Sequence, residues 1–578
     1  MRPAECVSEH ERPLGLGAAI VSRPAGPLET PACAVKRRSL RRSGAVSRRG
    51  RTAHVNLRQD PVGCAGPSDA DVQRAVMGVS MDDSVGPVPL PAASAIVRAH
   101  EVGDSAMVAE LVEQAPLEAW FGIAPPHLRE ILDAVPPRLL ATGSAARTFR
   151  IVLHGPVDER SVGSAPTADA PGGEIAALFF DARARGDAQR ALDLRRRFGE
   201  RMNALFDETG GIATFAGVQI GIAQMLAGNF VEALESFTMA RRTAPPAPLT
   251  ALLRDAYVKP AMVHSLFGDP QTALRKLDAS RSLSPTESWV EPVITAHAEI
   301  ARATISADED LRSAIESTES IPLPLLGELW PYRVEALFRL YLRTGRLDEA
   351  WRSVEAFRPA ASGLVPGNGM PGSVFATTAA VVALREGRIA RARALIREAD
   401  PKLVSNELLR NAIEVAAGDL DHSIQRLIGL RARTRRLRQL EFARTALLAW
   451  AVLRRGDDAE ATRILRDLLD RHHRIFDAER ALVPLELATF AEHAIPGWLP
   501  AHGSGRSADA WPDAVPRLTP REHQVLALMA SDMTRTEIAE SMFVSVNTVK
   551  SQQRAVFRKL GVNTRLEALM TAERLGLL

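Results

Sequence analysis

Seven times between residues 174 and 490, a glycine is followed five positions later by a small residue. The pairs are Gly186/Ala191, Gly228/Ala233, Gly268/Ala273, Gly345/Ala350, Gly387/Ala392, Gly418/Ser423 and Gly456/Ala461. Neighbouring copies mostly lie 38 to 42 residues apart, and a degenerate eighth copy at Glu309/Ala314 fills the longest gap. Apolar residues before each glycine recur at helical intervals, as Ile220, Ala223 and Ala227 do. A glycine in the left-handed region ends a helix without steric penalty. The small residue then lets a second helix pack closely against the first. Single hairpins of this kind cannot bury their apolar faces alone, so the pattern predicts a stacked α-solenoid with a concave surface.

Two copies align along their whole length at a shift of 40 residues: Gly221, Gly228, Ala233, Phe237, Ala240 and Pro245 match Ala261, Gly268, Ala273, Leu277, Ser280 and Pro285. This order of small, small, large, small and proline resembles the tetratricopeptide repeat, with helices longer than its ~34-residue unit allows.

The rest of the chain divides around this block. At 578 residues there is room for several domains. Residues 1–90 are rich in Pro, Gly, Ser and Arg without a sustained apolar period, and read as a disordered tail. Lys36 to Arg51 hold eight basic residues and no acidic one, read as a solvated run in preference to a DNA-binding arm. Met77 and Met81 are alternative starts. Residues 91–173 predict a short helical region with two or three helices, one near Pro126 to Val135, and residues 174–495 the repeats. Residues 357–375 read as a Pro/Gly loop inside the repeats, 496–514 as a linker, and 515–578 as a separate head. Lys and Arg total 72 against 69 Asp and Glu, so any nucleic-acid site has to be a local patch. The cysteines, Cys6, Cys33 and Cys64, all fall in the tail, which excludes disulfides and thiolate metal sites from the body. With no membrane-length apolar stretch and no signal-peptide core, the expected location is the cytoplasm.

The head is punctuated by helix-start signals. Thr519 with Glu522, Thr534 with Glu537, and Thr564 with Glu567 each form a capping box, and Ser545 is a further N-cap. They predict helices starting at about 520, 535, 546 and 565, with Gly561 ending the third and Gly576 the fourth. Apolar stripes run along Val525, Leu526, Leu528 and Met529; Ile538, Ala539 and Met542; Val546, Val549, Val556 and Leu560; and Leu566, Leu569 and Met570. The short Met542–Phe543–Val544 connection has helix-turn-helix spacing, with the motif over 534–553. Between Ser541 and Leu566 no acidic residue occurs, while Lys550, Arg554, Arg558, Lys559 and Arg565 do. Lys550, Arg554 and Arg558 share one helix face, with Asn547, Ser551 and Gln553 as hydrogen-bonding groups near it.

The segments Leu518 to Glu522, Glu537 to Ala539, Ser545 to Lys550 and Arg558 to Val562 resemble the LuxR-type helix-turn-helix family of bacterial regulators. The resemblance covers about 60 residues and implies binding to double-stranded DNA through the third helix. It implies Lys550, Ser551 and Arg554 as base-reading residues, and Arg535, Asn547, Thr548 and Arg558 as phosphate contacts. It also implies homodimerisation on DNA through the last helix, with Leu566, Leu569 and Met570. Gln552 stands where the family commonly has His, which leaves the preferred DNA sequence open. Joining such a head to helical repeats is similar to the large maltose-activator type of regulator. That type carries a P-loop ATPase, and this chain has no G-x-x-x-x-G-K-[ST], so ATP binding is not implied.

The expectation is therefore an all-α, non-enzymatic regulator of transcription. Its repeats would sense a small molecule or partner protein, and RNA polymerase is a further partner. No cofactor, metal site, catalytic set or membrane contact is expected. His472 and His473 are adjacent and cannot share a face as metal ligands. The alternative is a tetratricopeptide-like interaction scaffold with a degenerate DNA-binding head, which the intact Lys550 and Arg554 oppose.

Overall fold

The computed structural model describes residues 86–141, 143–154, 170, 172–203, 211–496, 498, 518–575 and 577–578. The expected disordered tail lies almost wholly outside them, as do most of the 496–514 linker and Gly576. Among the described residues there are 28 α-helices and no strand beyond one isolated bridge between Val88 and Thr286. No helix there is long and apolar enough to cross a membrane.

The N-terminal region holds more helix than its sequence suggested. Five helices occur: α1 Pro91–Glu101, α2 Ser105–Gln114, α3 Pro116–Gly122, α4 Pro125–Ala134 and α5 Ala145–His154. Prolines at the start of α1, α3 and α4 occupy first-turn positions where no amide donor is needed. The group is pinned to the repeats: Ser288 Oγ donates to the Phe121 carbonyl (2.6 Å) and Trp289 Nε1 to that of Trp120 (2.8 Å).

Eight helical hairpins follow. They are α6 Gly172–Ala184 with α7 Ala188–Asn203, α8 Ile212–Leu226 with α9 Phe230–Ala240, α10 Thr250–Leu266 with α11 Pro270–Arg281, and α12 Glu291–Ser306 with α13 Leu311–Ser320. Then come α14 Trp330–Thr344 with α15 Leu347–Glu355, α16 Gly369–Arg385 with α17 Ile389–Ile396, and α18 Val404–Ala417 with α19 Leu420–Gly429. After the short α20 Arg431–Thr434, the eighth hairpin pairs α21 Arg438–Arg455 with α22 Asp458–Arg471. Two short helices, α23 Asp477–Arg480 and α24 Leu485–Ala494, close the block. The Pro/Gly loop is shorter than expected, because α16 begins at Gly369 and takes Pro371 into its first turn.

Every hairpin has the predicted small contact. Ala191, Ala233, Ala273, Ala350, Ala392, Ser423 and Ala461 are fully buried, as is Ala314 of the degenerate copy at 2% exposure. The turns of six copies use the predicted left-handed glycine, with φ from 72° to 96°. At Gly228 the amides of Gly228 and Asn229 reach back to the Met225 and Gln224 carbonyls (3.1 and 2.8 Å), satisfying the last turn of α8. Gly268 departs from this. Its φ is not positive, and a Cβ there would press on the His264 side chain. Asp269 makes the stop instead, accepting from the Thr272 amide (2.9 Å) ahead of Pro270.

The repeats wind tightly. Asn368, before repeat 6, donates to Asp187 of repeat 1 (2.8 Å). Gly369 of repeat 6 abuts the Leu226 carbonyl of repeat 2, and Gly228 of repeat 2 faces Leu403, before repeat 7. Gln439 of repeat 8 donates to the Ser265 carbonyl of repeat 3 (2.8 Å). The superhelix thus returns onto itself about every five repeats. Tyr332 of repeat 5 donates to the Met225 carbonyl of repeat 2 (3.0 Å), so the interior there is filled and not the open concave groove expected.

This winding is testable by contrasting two glycines. Gly456 has φ +93 and open space around it, whereas Gly369 has φ +56 and backbone carbonyl 2.5 Å from where a Cβ would stand. Gly456→Ala is expected to cost only left-handed strain, ~1–2 kcal/mol. Gly369→Ala is expected to add a further ~1–3 kcal/mol of overpacking. Equal denaturation midpoints for the two variants would refute the contact between repeats 2 and 6.

Candidate nucleic-acid interface

The head consists of α25 Pro520–Ala530, α26 Arg535–Ser541, α27 Val546–Leu560 and α28 Arg565–Leu575, beginning where the caps predicted. The Thr519 and Glu522 side chains each accept from the other's amide (3.3 and 2.6 Å), and Thr534 with Glu537 does the same (3.3 and 2.7 Å). Glu567 accepts from the Thr564 and Asn563 amides (3.1 and 2.9 Å), completing the third box. Ser545 Oγ accepts from the Thr548 amide (3.1 Å) at the start of α27. Gly561, with φ +68, ends it.

Between α26 and α27 the chain turns at Phe543, whose φ is +55. The amides of Phe543 and Val544 return to the Glu540 and Ala539 carbonyls (3.2 and 2.9 Å). This is the helix ending used by the hairpin glycines, built here on a bulky side chain that is 95% exposed.

The faces of α27 separate cleanly. Val549, Gln553, Val556 and Leu560 are buried against α25, α26 and α28. Lys550, Ser551, Arg554 and Arg558 are exposed, as are Asn547 and Thr548 in the first turn. Arg535, at the start of α26, is also exposed. The seven residues predicted to touch DNA therefore all lie on solvent-facing positions. Three are already engaged locally: Ser551 Oγ donates to the Thr548 carbonyl (2.8 Å), Thr548 Oγ1 lies 2.8 Å from Ser545 Oγ, and Arg535 Nε donates to the Gln553 side chain (2.7 Å).

Three residues of the acid-free stretch are engaged within the head: Gln553, placed near that face by its sequence position, and the cations Lys559 and Arg565. Gln553 is buried, and its side-chain oxygen accepts from Arg535 Nε (2.7 Å), so it holds an arginine in place. Lys559 bonds Glu522 (2.6 Å), and Arg565 donates to the Met529 carbonyl (2.6 Å), both fastening α25 to the later helices. The five cations of that stretch are alike in charge. The buried carboxylate and carbonyl that claim two of them come from 37 and 36 residues away. In α28 the inward face is Ala568, Ala572 and Leu575, not the predicted apolar stripe. Leu566 and Met570 are 68% and 62% exposed, and Leu569 is half-buried.

Comparison with known proteins bears on the same segment. Residues 516–572 match the family described as bacterial regulatory proteins, luxR family. The chain is 40% identical over 61 residues to the spore germination protein GerE of Bacillus subtilis, covering 82% of that protein. The chain belongs to the LuxR family of bacterial regulatory proteins. It is also 48% identical over 62 residues to the HTH-type transcriptional activator RamA of Corynebacterium glutamicum, and 41% over 58 residues to the HTH-type transcriptional regulator MalT of Vibrio campbellii. These matches take in 10–11% of this chain, 22% of RamA and 6% of MalT. The LuxR likeness is thus a property of the head.

The head's carboxylates make its stability pH-dependent. Burial would raise the Glu522 carboxyl, but the hydrogen bonds from Lys559 and from Thr519 outweigh it and hold the pKa below the ordinary value. Glu537 and Glu567 are lowered chiefly by the capping amides of Thr534 and of Asn563. A lowered folded-state pKa stabilises fully above the unfolded value of about 4.3, and is lost as pH falls through the folded value. The isolated head, residues 510–578, should therefore lose urea resistance steadily below about pH 4.3. Glu522→Gln should lower its stability at neutral pH and flatten this decline. An unchanged acid profile in the variant would exclude Glu522 as a contributor.

Proposed function

We propose that this protein regulates transcription in the bacterial cytoplasm by binding double-stranded DNA, with α27 in the major groove. The observation that carries the reading is the exposed line of Lys550, Arg554 and Arg558 on a helix whose opposite side, Val549, Gln553 and Val556, is buried. That arrangement supports docking along one fixed face. Lys550, Ser551 and Arg554 read base edges, since a long cation can donate to guanine O6 and N7. Arg535, Asn547, Thr548 and Arg558 hold the phosphates. Arg535 is well suited to this because Gln553 already orients its guanidinium.

The protein binds as a homodimer through α28, whose exposed Leu566 and Met570 offer an apolar patch, with Leu569 at its edge. The repeats sense an effector and pass its binding to the head. The contact of α28 with α17 of repeat 6 supplies a physical route. An effector acts only so far as it favours one arrangement of head and repeats over another. RNA polymerase is the expected downstream partner.

Titration of variants on cognate and scrambled duplexes across salt concentrations tests the division of roles. Lys550→Ala and Arg554→Ala should each weaken cognate DNA by ~1–3 kcal/mol more than scrambled DNA. Arg535→Ala should weaken both alike and reduce the salt slope by about one. Equal losses on both duplexes for Lys550→Ala and Arg554→Ala would make them backbone contacts only.

A second experiment addresses sensing. The head alone, residues 510–578, should bind DNA with no response to molecules that change the affinity of the full chain. A response in the isolated head equal to that of the full chain would refute the assignment of sensing to the repeats.

A further inference from the structure

The first turn of the superhelix has no preceding turn to fill its axis, and a hollow remains there, roofed by α3 and α5. It has two adjoining lobes of about 60 and 110 Å³, partly open to solvent, which share Trp120, Phe180, Phe215 and Gln219 in their walls. The first lobe is mostly apolar, walled by Phe149, Phe179, Phe215 and Ile220, with Arg195 at its wall donating to the Gly199 carbonyl (2.8 Å).

The second lobe has charged and polar groups set in a mostly apolar wall. Repeats 1 to 4 and the segment before repeat 5 each contribute a polar residue: Arg183, Gln219, Lys259, His297 and Glu328. Arg183, whose side chain is fully buried, forks onto Glu328 with Nε (3.0 Å) and Nη2, and donates from Nη1 to the Gln219 side chain (2.8 Å). Lys259, in an otherwise apolar run, bonds Asp255 (2.5 Å) and His297 Nδ1 (2.8 Å). An ammonium only donates, so Nδ1 accepts, and His297 Nε2 carries the hydrogen given to the Leu326 carbonyl (3.1 Å). Burial, and then the neighbouring Lys259, keep His297 neutral. Ion pairs this deep are commonly no more stabilising than apolar packing of the same volume. Four successive repeats and the segment after them, all pointing polar groups at one partly empty space, make the pattern of a binding site.

We propose that this hollow binds a small amphipathic molecule, its flat apolar body against Phe149, Phe179 and Phe215 and its uncharged polar end among Gln219, Lys259 and His297. The polar end is uncharged because the charges of that lobe are already matched, Arg183 with Glu328 and Lys259 with Asp255. A ligand charge placed in that lobe would be desolvated with no partner left there to answer it. An amide or hydroxyl suits the site, able to accept from Lys259 and to donate to Gln219 or Asp255. The assignment rests on the effector reading above and deepens it by naming the place and the chemistry.

The test uses the full chain and the neutral dye N-phenylnaphthylamine. Energy transfer from Trp120 to the dye should be saturable. Ala216→Trp and Ile220→Trp, which fill the apolar lobe from two sides, should each weaken binding by roughly tenfold or more. Naphthaleneacetamide should displace the dye at roughly tenfold lower concentration than naphthaleneacetate or naphthylmethylamine. Lys259→Met should abolish that preference. Unsaturable binding, binding untouched by both filled variants, or stronger displacement by the carboxylate or the amine would overturn the proposal. DNA affinity measured in the same samples separates the two readings. A bound molecule that leaves DNA affinity unchanged upholds the site and defeats the effector reading. Absence of dye and amide binding, in a protein whose DNA affinity a cellular ligand still shifts, defeats the site and spares that reading.

Discussion

Eight small side chains set how near two antiparallel helices can come, and the geometry of the repeat region follows from that distance. Each sits on the second helix of its hairpin, five residues past the turn, and is buried against the first. Further along, the fit is kept by compensation. Gly221 leaves room for Phe237, where a Cβ would stand 2.6 Å from the ring, while the next repeat pairs Ala261 with the slimmer Leu277. Volume is conserved across the interface even as identities change, which is how cores tolerate substitution.

The hairpins were legible because their signals are local. A left-handed glycine, a cap and a helical period act within a few residues, so the starts of the head helices and the degenerate fourth repeat could be read directly. Gly268 shows the limit even locally: with Asp269 and Pro270 following, another stop signal was available, and the chain used it. What could not be read was anything set by distant partners. The stacking of repeat 6 on repeats 1 and 2 depends on residues about 180 and 140 positions apart, and no period announces it. The N-terminal helices were undercounted because proline at a first turn and proline in a loop look alike in sequence.

The same distinction runs through the charges. In the head, Lys550, Arg554 and Arg558 stand clear of the core, whereas Lys559 and Arg565 are consumed in holding it together. The sequence alone does not separate cations that face solvent from cations that brace the fold. In the repeats, one visible hint went unused. Lys259 interrupts an apolar stretch of α10 with no solvent to receive it, and a lysine so placed has to answer to something inside.

Winding that closes on itself also governs how this protein can change over generations. An open array contacts only its neighbours, so whole units can be duplicated or dropped while the rest stays intact. Here a lost or gained hairpin would shift every later one against the turn below it. Asn368 would no longer meet Asp187, nor Gln439 the end of α10. The number of units is thereby locked, and diversification is steered away from copy number. It is left to the connecting segments and to the residues facing the axis, where substitutions leave the register undisturbed.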